Sequence, residues 1–335
     1  MISGDSKVSL RVFSYCLLIS LLGVLVFANH LNNPFQFDSV PYITNNPNLE
    51  NPQFLLTTEF WKKEFFARGL LRMSIALNTH LDGFKPFGYH ILSLVFHIFN
   101  SLLLFFVLDK SFRRFRLNEL GWENKRIRSV AFFAAVLFLC HPIQTESVIY
   151  IMSRSEVLAS TFYLIGFLLF QQLLERPSTS RLQYCFYFLI IFLFFLLGFS
   201  VKQILATLPA VMVLYYLSCP NHSPAWQFFQ KWKWVFLSIF SVIVGLLIYR
   251  LFTDETFLIG PSRTHEMVGR AKYMLSQPAV IVFYYLKMLL FPINLNIDPD
   301  IEIVISVLSL SFLIPVLCIA LLLVGSFRIF KSRFI

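Results

Sequence analysis

The chain has 335 residues, of which 57% are hydrophobic and only 14% charged, and it carries a net charge of +10. About a quarter of an ordinary soluble domain is charged, so this composition, with a mean hydropathy of +0.69, excludes one. The Lys and Arg residues cluster at the ends of apolar runs, a pattern of membrane orientation and anionic-lipid contact that leaves no role for nucleic acid.

The first apolar run, residues 10–28, follows Lys7 and Arg11 and shows no clear small-residue cleavage site. It reads as an uncleaved span rather than a signal peptide. Residues 29–88 form the longest polar segment, a first external loop with a turn-rich start. Within it an amphipathic helix is predicted over residues 65–81, with Arg68 and Arg72 one turn apart. The second span, residues 89–108, carries His90, Ser93, His97 and Asn100 at spacings of three and four, one polar stripe on an otherwise apolar helix. Such a stripe faces other helices or water, not lipid. Hydrogen bonds between helices explain its histidines better than a metal does.

Residues 109–128 form a basic loop with seven Lys/Arg against three Asp/Glu. Two apolar runs, 130–140 and 157–170, then flank H-P-I-Q-T-E-S-V-I-Y-I-M-S-R-S-E, residues 141–156. Ionisable groups at membrane depth are costly and mark cavities or functional paths, and this stretch holds His141, Glu146, Arg154 and Glu156. A short helix starting at Pro142 puts Glu146, Tyr150 and Arg154 on one face, at the mouth of the bundle. The same residues admit a Glu146–Arg154 ion pair, and a capping box from Ser153 to Glu156.

Residues 182–217 are long enough for two short spans with Ser200-Val-Lys202-Gln203 at the turn. A basic segment, 218–233, precedes a seventh span over 234–252. Residues 278–292 are apolar but short and read as a re-entrant or interfacial piece, and the last span is 303–326 before a basic tail. The five cysteines lie in or beside apolar runs at no metal-ligand spacing and read as small core hydrophobes. The fold expected is an all-α polytopic membrane protein of about eight to ten spans, one membrane domain over residues 1–335. Its external loop, 29–88, has five basic and five acidic residues, whereas the basic loops fall inside. Asp38, Arg68, Arg72, His90, His141, Glu146, Arg154, Glu156, Lys202, Arg263 and Asp298 then gather at the outer face. Cations there suit a phosphate on a lipid tail, and a carboxylate suits a general base for an incoming hydroxyl.

Four pieces carry a family likeness. F-Q-F-D-S-V-P-Y-I-T-N-N-P (35–47), P-F-G-Y-H-I-L-S-L-V-F-H (86–97), residues 140–159, and residues 275–298 ending in F-P-I-N-L-N-I-D together resemble the TMTC proteins, transmembrane and tetratricopeptide-repeat-containing. The resemblance spans most of residues 29–298 and implies a GT-C glycosyltransferase fold and O-mannosylation from a polyprenyl-phosphate sugar donor. It implies that Asp38, just after the first span, is the catalytic base of an inverting transfer. Arg68, Lys202 and Arg263 are the candidates for the donor phosphate. Arg72, His90, His141, Glu146, Arg154, Glu156 and Asp298 would line the pocket. The chain departs from the family in three places: Asp38 is followed by Ser39 rather than a second acid, Lys202 by Gln203, and Arg68 by Gly69. The tetratricopeptide repeats do not occur within the 335 residues.

The partners implied are the lipid-linked sugar donor, membrane lipid and a protein or glycan acceptor. No cofactor is assigned, and a divalent metal requirement is left undecided by the residues. A bacterial plasma membrane is the expected location. The competing class is a transporter or flippase of a polyprenyl-linked or anionic solute, which favours internal repeats and midplane charges; neither is evident here. A non-catalytic membrane subunit is the third reading.

Overall fold

The computed structural model describes residues 2–50, 52–115, 121–175, 180–218, 245, 270–296, 299 and 302–334. These residues form helices and turns, and the chain divides into two compact units, Met1–Ala225 and Trp226–Ile335. The protein is an all-α polytopic membrane protein. Among the described residues five helices are long and apolar enough to cross a membrane: Leu10–His30, Pro86–Arg114, Ile151–Glu175, Leu182–Phe199 and Lys272–Leu290. Gln203–Ser218 and Leu310–Ser326 are shorter apolar helices.

In the first unit the order is α1 (Ile2–Phe27), α2 (Pro47–Glu50), α3 (Leu70–Asp82), α4 (Pro86–Arg114), α5 (Asn124–Cys140), α6 (Gln144–Ile149), α7 (Arg154–Glu175), α8 (Arg181–Phe199) and α9 (Leu208–Ser218). Helix α4 is the hub, packing against α1 and α5 on one side and α7 on the other, with α8 beyond α7. Ile19, Phe105, Ala131, Ala135 and Leu139 are buried where α1, α4 and α5 meet. Gly23 allows this approach, since a Cβ there would fall 2.5 Å from Ile98 Cγ1.

Lipid tails are as apolar as Leu, so small residues and polar bonds hold such helices together. The polar stripe of α4 performs that work. Asn100 Nδ2 donates to the Val157 carbonyl at 2.8 Å, and Thr161 Oγ1 donates to Asn100 Oδ1 at 2.7 Å. One helical repeat deeper, Gln171 Nε2 donates to the Val107 carbonyl and to Ser111 Oγ. His97 Nε2 lies 3.0 Å from the Leu139 carbonyl. That carbonyl sits in the last turn of α5, where the Ile143 N–H turns instead to His141 Nδ1, and His97 supplies the missing donor.

Three expectations change on the structure. The helix predicted over 65–81 starts earlier and is irregular: a π-helical stretch, Phe60–Gly69, runs directly into α3, and Arg68 within it takes a left-handed φ of 68°. The segment 278–292 is not a separate short piece. It is the second half of a helix that begins earlier and runs through Pro278 as α10 (Arg270–Ala279), a π stretch (Val280–Leu286) and α11 (Lys287–Leu290). Proline removes a ladder donor, and a widened turn accommodates the loss without ending the helix. The last helix, α12 (Leu310–Phe334), starts seven residues later than expected from 303. Residues 302–306 lie outside any helix, with the Val304 N–H donating to the buried Ser276 Oγ at 2.9 Å, and Ser306 and Ser309 make the turn before α12. The seventh span, 234–252, lies outside the described residues.

Candidate functional site

The candidate residues meet because α4 and α7 begin, and α1, α5 and α8 end, at the same end of the first unit. Pro34 and the turn at 31–32 close α1, and Phe37, at a left-handed φ of 48°, redirects the chain into a π turn, Val40–Thr44. A bulky residue at positive φ is strained. Here it projects the Asp38 side chain into solvent while Ser39 is buried.

The stretch 141–156 is punctuated by its own sequence. Pro142 holds His141 extended and ends α5. Helix α6 runs only to Ile149, Tyr150 is extended, and the tight turn Ile151–Ser153 leads into α7. Glu146, Tyr150 and Arg154 therefore do not share one helical face as anticipated. Tyr150 stays at the mouth: its Oη accepts the Asp38 backbone N–H at 3.1 Å, and its ring meets Phe37 edge-on. Arg154 turns inward and is fully buried. It donates to Ser93 Oγ through Nε, to the Ser74 carbonyl and Oγ through Nη1, and to the Tyr89 carbonyl through Nη2, tying α3 and α4 to the start of α7.

Lys202 completes the mouth from the turn after α8. Gly198 brings that turn close, since a Cβ there would lie 2.7 Å from both Leu205 Cγ and Phe162 Cβ. The Lys202 ammonium contacts the Glu156 carboxylate. Burial pushes Lys202 down to about 8; the neighbouring Arg68 cation acts in the same direction, and Glu146 opposes both. Burial of its packed side raises the Glu146 carboxyl, partly offset by Lys202. The Tyr150 phenol is pushed up to about 12, mainly by burial and then by the Asp38 charge. Asp38, Tyr150, Glu146, Lys202, Glu156 and Arg68 thus form one electrostatic cluster.

Arg72 lies half-buried in α3, its guanidinium lowered by burial and supported by Tyr42 on the Asp38 loop. His90 is buried beneath that loop, its Nε2 3.0 Å from the Asn33 carbonyl and its ring against His30. His141 Nδ1 accepts the Ile143 N–H and shapes the local turn. Arg263 and Asp298 lie outside the described residues. Among the described residues no group of three His, Cys, Asp or Glu side chains is placed to hold a metal ion. Sequence reasoning passed over Tyr150 as a site residue, although its place four residues after Glu146 put it in the same stretch.

The arrangement is an exposed carboxylate beside paired and buried cations at one end of a membrane bundle. The chain is similar in sequence to known proteins. Protein O-mannosyl-transferase TMTC1 of Mus musculus is 29% identical over 217 residues, 59% of this chain and 21% of its own length. The chain is TMTC-like. The Homo sapiens TMTC1 protein is 31% identical over 45% of this chain and 17% of its own length. The protein O-mannosyl-transferase F38B6.6 of Caenorhabditis elegans is 23% identical over 92% of this chain and 43% of its own length. The TMTC-like chain thus spans about a fifth of the TMTC1 proteins it matches and under half of the worm protein. No family model and no solved structure matches it.

Proposed function

We propose that this protein is a membrane glycosyltransferase of GT-C type that moves a sugar, mannose by analogy with the O-mannosyl-transferases it resembles, from a polyprenyl-phosphate donor to a protein hydroxyl. The observation that carries the reading is the exposed Asp38 carboxylate in one cluster with Lys202 and Arg68. The acceptor oxygen attacks the anomeric carbon, the bond from that carbon to the phosphate oxygen breaks, and polyprenyl phosphate leaves with the bonding pair. Asp38 takes the acceptor proton. Lys202 and Arg68, with Arg263 as a further candidate, hold the phosphate as its charge develops. The anomeric configuration inverts, because one displacement occurs.

The site faces outward, to the periplasm or lumen. Lys110, Arg113 and Arg114 stand at the other end of α4 from Tyr89 and His90, and Lys125, Arg126 and Arg128 open α5 beside them. Basic residues stay on the cytoplasmic side, which supports the opposite side for the cluster.

The test is transfer of radiolabelled mannose from polyprenyl-phosphate mannose to Ser- and Thr-containing peptides in membranes carrying the protein. Asp38→Asn should lower turnover at least ~100-fold, the low end of a general-base contribution. Equal turnover in the variant removes Asp38 from the reaction. Donor binding without any turnover in the unaltered protein moves the reading to a carrier or accessory subunit.

A further inference from the structure

The Tyr150 phenol has no part in the mechanism above, yet the fold sets it against the base. The two residues come from distant places. Asp38 follows α1, and Tyr150 interrupts the path from α6 to α7, 112 residues later. Tyr150 is anchored through its backbone on both sides. Its N–H donates to the Glu146 carbonyl at 3.0 Å and its carbonyl accepts the Ser153 N–H at 2.9 Å. The Asp38 loop is held by short turns of its own, Ser39 N–H to Gln36 carbonyl, Val40 N–H to Phe37 carbonyl and Tyr42 N–H to Asp38 carbonyl, and passes through the left-handed Phe37. A residue held in that region is strained and persists only where its surroundings enforce it.

Tyr150 reaches the loop at Phe37 and Asp38 from outside it. Its ring meets the Phe37 ring at a centroid distance of 6.1 Å and an angle of 85°. Its Oη accepts the Asp38 N–H at 3.1 Å, which places the phenol beside the Asp38 charge. We infer that Tyr150 is the positioning residue for the base, gripping Asp38 by its amide and by the preceding ring so that the carboxylate points at the acceptor hydroxyl. The inference rests on the reading of Asp38 as the base. A phenol pushed up to about 12 stays protonated at any working pH, so the grip does not switch off. Binding of the donor phosphate falls to Lys202 and Arg68, and Tyr150 acts on the chemical step alone.

The experiment is Tyr150→Phe, which keeps the ring and removes only the oxygen, compared with Asp38→Asn and the double variant in the mannosyl-transfer assay. Turnover of Tyr150→Phe is expected to fall about 10–100-fold at an unchanged KM for polyprenyl-phosphate mannose. In the Asp38→Asn background the same substitution should cost nothing further, because its only route to the reaction has been removed. Amide hydrogen exchange in the peptide containing Phe37 and Asp38 should quicken about five- to tenfold, the loss of one ordinary hydrogen bond. Full turnover and unchanged exchange in Tyr150→Phe, with Asp38→Asn inactive, overturn the positioning role and leave the base standing. Full turnover in Asp38→Asn overturns both. A rise in donor KM with unchanged kcat in Tyr150→Phe also overturns it, because the residue is then a binding group.

Discussion

The Arg154 guanidinium donates to the Tyr89 carbonyl oxygen across 2.9 Å in a place that solvent does not reach. Its other nitrogens are taken up by Ser93 and Ser74, and the cation lies 5.7 Å from the Tyr89 ring centroid. Among the described residues no carboxylate pairs with it. It is a clamp made of hydrogen bonds to neutral oxygens, and it joins three helices below the mouth.

Removing the clamp takes a charged donor away from the Tyr89 and Ser74 carbonyls and the Ser93 hydroxyl. Arg154→Met, which keeps much of the bulk, is expected to cost about 2–4 kcal/mol, because bonds from a charged donor are worth about 1.5–3 kcal/mol each. Thermal unfolding in detergent checks it. A variant that melts with the unaltered protein would mean that the bonds are replaced by other contacts.

Asn100 and Thr161 should behave as a coupled pair between α4 and α7. Asn100→Leu and Thr161→Val are each expected to destabilise the protein, and the double variant to lose less than the two together. The coupling should be about 0.6 kcal/mol and no more than about 2 kcal/mol, the range of such bonds between membrane helices. A double-variant cycle on unfolding free energy measures it.

Gly198 is a packing requirement. A larger residue would meet the Phe162 backbone-proximal Cβ and Leu205, both 2.7 Å from the new carbon, so Gly198→Val is expected to cost about 1–3 kcal/mol. It should also lower donor affinity, since Lys202 rides on that turn. Unfolding and donor binding, measured side by side, separate the two effects.

Lys202 sets a pH limit. Its amine is pushed down to about 8, so donor KM should rise as pH climbs through 8, by roughly tenfold per unit well above it. Lys202→Arg should flatten that rise, since a guanidinium stays charged. The sign on stability is the reverse of an ion pair's. The folded value lies below the ordinary 10.5, so the unfolded chain binds the extra proton between about 8 and 10.5 and stability increases with pH across that window. Steady-state KM against pH, with unfolding at the same pH values, tests both signs.

The sequence alone determined that this is a helical membrane protein, where its main spans lie, and which stretches resemble the TMTC proteins. Apolar run length and turn residues act over a few neighbours, so they are readable without contacts: the break at Ser200–Lys202 fell where the charges said it would. Local signals misled where a helix tolerates an irregular residue. Pro278 did not end its helix, and a left-handed Arg68 sits inside a π-helical stretch that runs on into α3. The site depended on the fold in a stricter way. One stretch sends Glu146 and Tyr150 to the mouth and Arg154 into the core, because the chain changes direction at Tyr150. No spacing rule contains that turn's angle. The meeting of Tyr150 with Asp38, like that of Lys202 with Glu156, is decided by how α4, α7 and α8 pack. Packing of that kind is a balance of many weak contacts between residues far apart in the chain, and only the assembled bundle expresses it.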